Sequence, residues 1–276
     1  MMRILKIILV VLALNAPAIA SERIVSLAPA LTEIIYALGQ GSSVVGNTRF
    51  CDFPPQARTV TRVGGLMDLN LEMLIQLKPD LIILYPESME KIKVLRNRTA
   101  LLPVRHWNLE DLYRSIHEIA TALKVETSGT ELVSSLKESL AAIRKKTVGH
   151  NKIKTLLIAG RNPDQLTNMI IIGKRDFLNE ILEICGGINA YEGSIDYPGI
   201  SIESIVSMNP ELIIEFSVFF QGIDQQKVMD LWDRYPIIKA VKLKNIKVIT
   251  DPKWLRPGPR ISEVALELFR LVRPHD

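Results

Sequence analysis

The clearest pattern of hydrophobic and polar positions occurs twice, over residues 70–84 and again over residues 201–215. In each copy a polar residue, Asn70 or Ser201, precedes apolar residues at helical spacing, and both are good N-cap residues. Each copy then passes through a proline and an acidic residue into an uninterrupted apolar run, which is typical of a strand buried on both faces of a parallel sheet. The sequence therefore predicts two similar α/β units.

A long amphipathic segment separates the two copies. Residues 128–147 contain no proline, and their apolar residues recur at helical spacing. This segment predicts one helix of about twenty residues, roughly 30 Å long. We therefore predict an α/β fold of two Rossmann-like lobes joined by a single long α-helix, with a ligand cleft between the lobes. The predicted boundaries are an N-terminal lobe over 21–126, a linking helix over 127–149 and a C-terminal lobe over 150–276.

The same reading places shorter elements along both lobes. The predicted strands are 23–27, a short one from 44, 104–107, 155–159 and 247–250, in addition to the two apolar runs of the repeat. The predicted helices, besides those of the repeat and the linking segment, are 31–38, 89–97, 109–123, 176–185, 225–233 and a closing one from residue 260.

The first twenty residues predict a cleaved secretory signal peptide. Arg3 and Lys6 form a basic start, residues 7–14 an apolar run, and residues 18–20 a small-x-small cleavage site. The apolar run is too short to span a bilayer. We therefore expect the mature protein in the periplasm. Cys51 and Cys185 could form a disulfide there only if their Cα atoms approach within about 7 Å, and the sequence leaves this open.

Charge and motifs argue against nucleic acid and against catalysis. The formal net charge of +4 falls by two when the signal peptide is removed, and the basic residues are scattered. The chain contains no GxxxxGK[ST] phosphate loop, no GxSxG elbow, no HExxH pair and no cysteine–histidine cluster. We expect no enzyme activity, no catalytic or metal site, no cofactor and no nucleic-acid partner.

Aromatic residues are concentrated in loops at the predicted carboxyl ends of strands, where open α/β sheets bind ligands. They are Phe50, Phe53, Tyr85, Trp107, Tyr197 and Trp254. For Phe53 and Trp107 taken singly, ordinary packing is the favoured interpretation. Together, the six predict a large, flat or partly apolar ligand held by stacking. Three arginines, Arg49, Arg161 and Arg256, could add polar contacts.

Two glutamates, Glu72 and Glu203, occupy the same position in the two repeats, at the second residue of the predicted helix. One interpretation is stabilisation of the helix N-terminus, worth about 0.3–1 kcal/mol. The other is a matched pair of surface carboxylates, one on each lobe, that docks onto a symmetric basic partner. The residues alone favour neither.

Four segments carry a resemblance to a known family: 50–57, 70–81, 183–187 and 251–260. The chain resembles the periplasmic substrate-binding proteins of ABC importers, in the class whose lobes are joined by one long helix. It is most similar to the members that bind cobalamin. The resemblance implies a monomer that carries a corrinoid as transported ligand to an inner-membrane permease dimer with its ATPase. Ferric siderophore binders of the same fold remain an alternative.

The resemblance also implies roles for individual residues. The ligand-binding positions are Phe50, Leu66, Tyr85, Tyr197 and Trp254, with Asp251 and Arg256 as polar contacts. Leu66 departs from the pattern, because a tryptophan is expected there. Glu72 and Glu203 match the pair that contacts arginines on the two permease subunits, which favours the docking interpretation. The tyrosine of haem-binding relatives, near 65–68, and the histidines of metal-binding relatives are not found.

Overall fold

The computed structural model describes residues 23–218 and 224–274; the predicted signal peptide, 1–20, lies outside this range. The N-terminal lobe is a five-stranded parallel sheet in the order β3-β2-β1-β4-β5. Its elements are β1 (Ile24–Ser26), α1 (Pro29–Ala37), β2 (Val44–Asn47), β3 (Thr61–Arg62), α2 (Leu71–Leu77), β4 (Leu81–Leu84), β5 (Ala100–Pro103) and α3 (Leu109–Ala122). The linking helix α4 (Glu126–Thr147) follows.

The C-terminal lobe is a six-stranded sheet in the order β11-β10-β6-β7-β9, with β8 paired to the start of β6. Its elements are β6 (Ile153–Gly160), β7 (Met169–Ile171), α5 (Phe177–Ile184), β8 (Gly187–Asn189), β9 (Gly199–Ile200), α6 (Ile202–Met208), β10 (Leu212–Phe216), α7 (Gln225–Trp232), α8 (Lys239–Lys242), β11 (Ile246–Ile249) and α9 (Ile261–Val272). Strand β7 runs antiparallel to both of its neighbours, so this sheet is mixed.

The sequence repeat is also a structural repeat. Helices α2 and α6 are N-capped by Asn70, whose side chain accepts the Met73 N–H at 2.9 Å, and by Ser201. Both helices end in a left-handed residue, Lys78 with φ 45° and Asn209 with φ 47°. The strands that follow, β4 and β10, are fully buried and lie between two neighbours in their sheets. The predicted capped helix, turn and central strand are therefore present in both lobes.

Helix α4 packs onto both lobes. Its buried face consists of Gly129, Val133, Leu136, Leu140 and Ile143. The four larger residues belong to one apolar cluster that also contains residues of α1 and α3 on one side and of α5 and α9 on the other. Because this cluster continues from one lobe into the other, movement of the lobes would disturb close-packed side chains. The fold is therefore two α/β lobes joined by one long, well-packed helix.

Two predicted elements differ from the structure. The helix expected over 89–97 is a pair of 3₁₀ segments, Pro86–Ser88 and Glu90–Leu95, whose buried residues Ile92 and Leu95 are three apart, as a 3₁₀ turn requires. The strand expected over 104–107 is β5, Ala100–Pro103. Its terminal proline is tolerated because β5 is an edge strand. Strands β3, β7, β8 and β9 and the short helix α8 are not predicted from the sequence, since elements of two to four residues show no periodicity.

Both cysteines are buried free thiols, so the disulfide left open by the sequence does not form. Cys185 donates from Sγ to the Ala265 carbonyl at 3.2 Å, and Cys51 Sγ lies 3.1 Å from Thr48 Oγ1. Within residues 23–218 and 224–274, no helix combines the length and the apolar character that a membrane span needs.

Candidate ligand-binding site

Two predicted ligand residues of the N-terminal lobe, Phe50 and Leu66, lie on one exposed surface. The Phe50 ring packs against Gly65, where a β-carbon would lie 3.1 Å from Phe50 Cε2. The loop that carries Leu66 is held by an ion pair between Arg49 and Asp68, and by Lys91, whose Nζ donates to the Leu66 carbonyl at 2.5 Å. Apolar side chains are thus presented to solvent by an anchored loop.

The third residue, Tyr85, is part of an aromatic stack. Its ring lies against His106, with centroids 3.7 Å apart and planes 20° apart, and His106 lies against Trp107 at 5.0 Å and 24°. Burial raises the pKa of Tyr85 and lowers the pKa of His106. His106 Nδ1 is buried without a hydrogen-bond partner. Trp107 forms the outer end of the stack and is 44 % exposed.

In the C-terminal lobe, Tyr197 is positioned by Asp176. The Tyr197 hydroxyl donates to Asp176 Oδ2, and Asp176 Oδ1 accepts the Leu178 N–H at 2.8 Å as the N-cap of α5. Asp176 is buried, and this burial raises the pKa of its carboxyl group. Burial and the neighbouring Asp176 charge raise the pKa of Tyr197, which keeps its hydroxyl a hydrogen-bond donor. The Tyr197 side chain is fixed while 44 % of the residue stays exposed.

A cavity of about 320 Å³ lies where the two lobes meet, with Trp107 contributed by one lobe and Tyr197 by the other. Its other lining residues are Arg105, Asn108, Asp111, Arg175, Asp176 and Asp196. Beside it the lobes are hydrogen-bonded, because the Phe177 N–H donates to the Trp107 carbonyl at 2.9 Å and the Leu109 N–H to Glu180 Oε2 at 2.7 Å. Trp107 is therefore half-exposed at the boundary between the lobes, whereas the sequence favoured ordinary packing for it. The volume lies at the lower end of the range for ligand pockets.

The structure does not bring Trp254 to this exposed aromatic surface. Trp254 is 2 % exposed, packs against Phe216 with centroids 6.0 Å apart, and donates from Nε1 to Glu267 Oε2 at 3.1 Å. Asp251 is exposed and caps the short 3₁₀ segment Pro252–Leu255. The Trp254 indole therefore packs in the interior and has no exposed face on which a ligand could stack.

All three arginines that the sequence suggested as ligand contacts are already paired with carboxylates. Arg49 pairs with Asp68, Arg161 with Glu215 at 2.8 Å, and Arg256 with Asp52 at 2.5 Å. A ligand contact from any of them would have to be made from within an existing ion pair. The partners lie far away in the sequence, and no local pattern marks the pairing.

Glu72 and Glu203 are exposed on the first turns of α2 and α6, one on each lobe. A hydrogen bond from the Ser201 side chain lowers the pKa of Glu203. Each helix is joined by a short turn to the strand that follows, so the chain reverses direction. The first turn of each helix therefore lies towards the carboxyl ends of the strands, on the same side as the loop that carries Phe50 and follows β2.

Comparisons with known proteins agree with this architecture. A family model described as periplasmic binding protein matches residues 24–252. The chain is 32 % identical over 262 residues to the uncharacterized ABC transporter substrate-binding lipoprotein YvrC of Bacillus subtilis, covering 92 % of this chain and 80 % of that protein. It is 27 % identical over 268 residues to the vitamin B12-binding protein of Vibrio vulnificus, covering 94 % and 93 %. The structure of a possible iron-binding (periplasmic solute-binding) protein from Staphylococcus epidermidis matches with a TM-score of 0.79 at 27 % identity, covering 91 % and 98 %.

Proposed function

The chain belongs to the periplasmic binding protein family, whose members are non-enzymatic solute-binding proteins, and on this premise we propose that it binds cobalamin or a related corrinoid. It is a substrate-binding protein of an ABC transporter, and such proteins work with a membrane permease and its ATPase. The proposed role is to hold the corrinoid in the cleft and deliver it to the inner-membrane permease without chemical change.

The observation that carries this proposal is the pair of exposed aromatic rings on opposite lobes, Trp107 and Tyr197, together with the apolar surface of Phe50 and Leu66. A large flat ligand with apolar faces and a polar rim suits such a surface, because aromatic side chains bury its faces while a few polar groups orient it. The cavity of about 320 Å³ would take only part of a corrinoid, and its carboxylates can accept hydrogen bonds from amide groups. The vitamin B12-binding relative supports the same ligand class.

A visible spectrum tests this proposal. The mature protein is mixed with excess cyanocobalamin and passed through a gel-filtration column, and we expect stoichiometric corrin absorbance in a peak of monomer size. Tyr197→Ala should weaken cyanocobalamin binding. Tyr197→Phe should weaken it less, because the aromatic ring is kept. Ile237→Ala is the matched control, since Ile237 is exposed in the loop between α7 and α8. Absence of corrin absorbance from the wild-type peak would reject the corrinoid.

A ferric siderophore is the second candidate, favoured by the solved relative described as a possible iron-binding protein and by Leu66 in place of the expected tryptophan. Ferrichrome is therefore included in the same assay. Leu66→Trp separates the two candidates, because an added stacking surface should tighten cyanocobalamin binding if the corrin ring lies on this loop. Tighter binding of ferrichrome than of cyanocobalamin by the wild-type protein would favour the siderophore.

We also propose that Glu72 and Glu203 dock the protein onto basic residues of the two permease subunits. Both are exposed at equivalent places on the two lobes, as a two-fold symmetric partner requires. Glu72→Arg combined with Glu203→Arg should abolish uptake in cells and leave ligand affinity intact. A double charge reversal on other exposed glutamates, Glu118→Arg with Glu131→Arg, is the control. Normal uptake by the first double variant would refute the docking role.

Export is the last part of the proposal. We propose that residues 1–20 are removed as a signal peptide, so that the mature chain begins at Ser21 in the periplasm. Mass spectrometry of the protein from a periplasmic fraction should give this amino terminus. Recovery of the full chain in the cytoplasmic fraction would contradict it.

A further inference from the structure

A charged network links the two lobes. We call residues 251–260, between β11 and α9, the strap. Its last residue, Arg260, meets Glu33 of α1 in the N-terminal lobe, with Arg260 Nε 2.8 Å from Glu33 Oε2 and Nη2 2.6 Å from Oε1. Glu33 is buried. Two parallel N–H···O bonds of this kind fix the relative orientation of both groups.

A second strap arginine extends the network to the loop that carries Phe50. Arg256 Nη1 donates to Asp52 Oδ1 at 2.5 Å and lies 3.5 Å from Glu33 Oε1, and Nη2 donates to the Phe50 carbonyl at 3.1 Å. Burial alone would raise the pKa of Asp52, but the hydrogen bond and charge of Arg256 outweigh it and lower the pKa. The guanidinium of Arg256 is thus committed to groups of the N-terminal lobe.

The strap also packs closely on the same surface. A β-carbon at Gly258 would lie 3.4 Å from the β-carbon of Ala30 in α1, so the strap backbone rests directly on that helix. The Arg260 guanidinium lies over the Phe53 ring, 4.1 Å from its centroid. Charge and packing therefore hold the strap against both α1 and the loop 50–53.

We propose that Glu33 and Arg256 are positioning residues of the ligand cleft, through which the strap holds the Phe50 loop in its ligand-binding arrangement. Arg256 acts through Asp52 and the Phe50 carbonyl. A buried ion pair contributes little net stability, but the two parallel hydrogen bonds from Arg260 to Glu33 restrict the orientation of the strap. A cleft arranged in advance binds its ligand without the cost of ordering loops. This inference rests on the proposed ligand-binding function of Phe50.

The first test is hydrogen exchange on the ligand-free mature protein. The Cys51 N–H is bonded to the Thr48 carbonyl and the Arg256 N–H to the Lys253 carbonyl, so both report local opening. Glu33→Gln should accelerate exchange in peptides covering 48–53 and 252–260 by about ten-fold or more. Arg256→Gln leaves the Glu33–Arg260 pair in place and should accelerate hydrogen exchange of 48–53 to a similar extent. It replaces Glu33→Gln in this test if that variant does not fold.

The matched control is Glu215→Gln, which breaks the buried Arg161–Glu215 pair inside the C-terminal lobe. It should destabilise that lobe and leave the exchange of 48–53 unchanged. Unchanged exchange of 48–53 in Glu33→Gln and Arg256→Gln would overturn the proposal. Equal acceleration of 48–53 in Glu215→Gln would overturn it as well, because the effect would then be general destabilisation.

The second test is equilibrium dialysis with cyanocobalamin. Glu33→Gln should weaken binding by about ten-fold or more, although Glu33 is buried. Arg256→Lys keeps the charge but loses the fork of donors, so its affinity should fall in proportion to the increase in exchange of 48–53. Full affinity in a variant whose 48–53 loop exchanges rapidly would overturn the inference. A wild-type protein that binds no cyanocobalamin rejects the corrinoid, and the exchange test still decides the role of the strap.

Discussion

Arg161 and Glu215 form a buried ion pair within the C-terminal lobe. Arg161 Nη2 lies 2.8 Å from Glu215 Oε1, and their side chains are 4 % and 2 % exposed. Arg161 Nη1 also donates to the carbonyls of Asn162 and Pro163, at 2.6 and 2.9 Å, and so holds the loop after β6. The pair lies at the carboxyl ends of β6 and β10, where the sequence suggested a ligand contact for Arg161.

Arg161→Met should lower the free energy of unfolding by about 3–5 kcal/mol, because it leaves the Glu215 charge buried without its partner. Glu215→Met should cost at least as much. It strands the Arg161 charge and also the Trp232 Nε1–H, which now donates to Glu215 Oε2 at 3.1 Å. An unpaired buried donor costs about 1–3 kcal/mol. The double variant should therefore lose less stability than the two single variants added together, because no buried charge is left unpaired. Most of the stability that it does lose should come from the unpaired Trp232 donor.

Urea unfolding followed by far-UV circular dichroism measures these free energies, and a double-mutant cycle gives the coupling between Arg161 and Glu215. Far-UV detection is preferred because Trp232 is itself part of the network. The reasoning would be refuted if Arg161→Met unfolded at the wild-type urea concentration. If that stable variant also lost cyanocobalamin binding, Arg161 would be a ligand contact and not a loop-holding residue.

Three further predictions follow from local geometry. Gly173→Ala should lower the free energy of unfolding in urea by about 1–3 kcal/mol, because its β-carbon would lie 2.9 Å from the Asp196 carbonyl oxygen. It should also weaken ligand binding, since Asp196 is next to Tyr197. The control is Gly160→Ala, which should be neutral because its β-carbon would have no atom within 4 Å. The pKa of Asp176 is raised in the folded protein, so ionisation of this carboxyl group opposes folding as the pH rises above the ordinary aspartate pKa of about 4. Asp176→Asn should remove the resulting loss of stability between acidic and neutral pH. An unchanged pH dependence of stability in this variant would contradict the prediction. Leu140→Ala in α4 should lower the free energy of unfolding by about 2–5 kcal/mol. In calorimetry both lobes should still unfold in one transition, because the apolar cluster around Leu140 is shared between them. Separate transitions would show that this cluster does not couple the lobes.

Much of the fold could be predicted because its signals are local. The Asn70 and Ser201 caps, the apolar runs that became β4 and β10, and the periodicity of α4 each depend on neighbouring residues alone. The elements that were predicted less accurately also have local causes. The 3₁₀ segments between Pro86 and Leu95 contain apolar residues that fit two helical periods, and β5 ends in a proline that only an edge strand tolerates.

The candidate site was predicted less well, because side-chain pairing across the chain decides which groups remain available. Composition and loop position pointed to aromatic residues, and Phe50 and Tyr197 are indeed exposed. The same evidence could not show that Trp254 turns inward to Glu267, or that Trp107 faces the boundary between the lobes. An aromatic residue in a loop has the same local signal in both situations.

Periodicity, capping and motifs along the chain are enough to predict the two repeated α/β units, the helix that joins them and the family, because each of these signals is local. Which charged side chains are paired depends instead on contacts between distant parts of the chain. Glu33 and Arg256 are more than two hundred positions apart, yet the packing of the strap on α1 places them in one network. Burial makes such pairing compulsory, because an unpaired charge in the interior is far more costly than one in water. For that reason the largely buried side chains of Arg161 and Arg256 are held in ion pairs with Glu215 and Asp52.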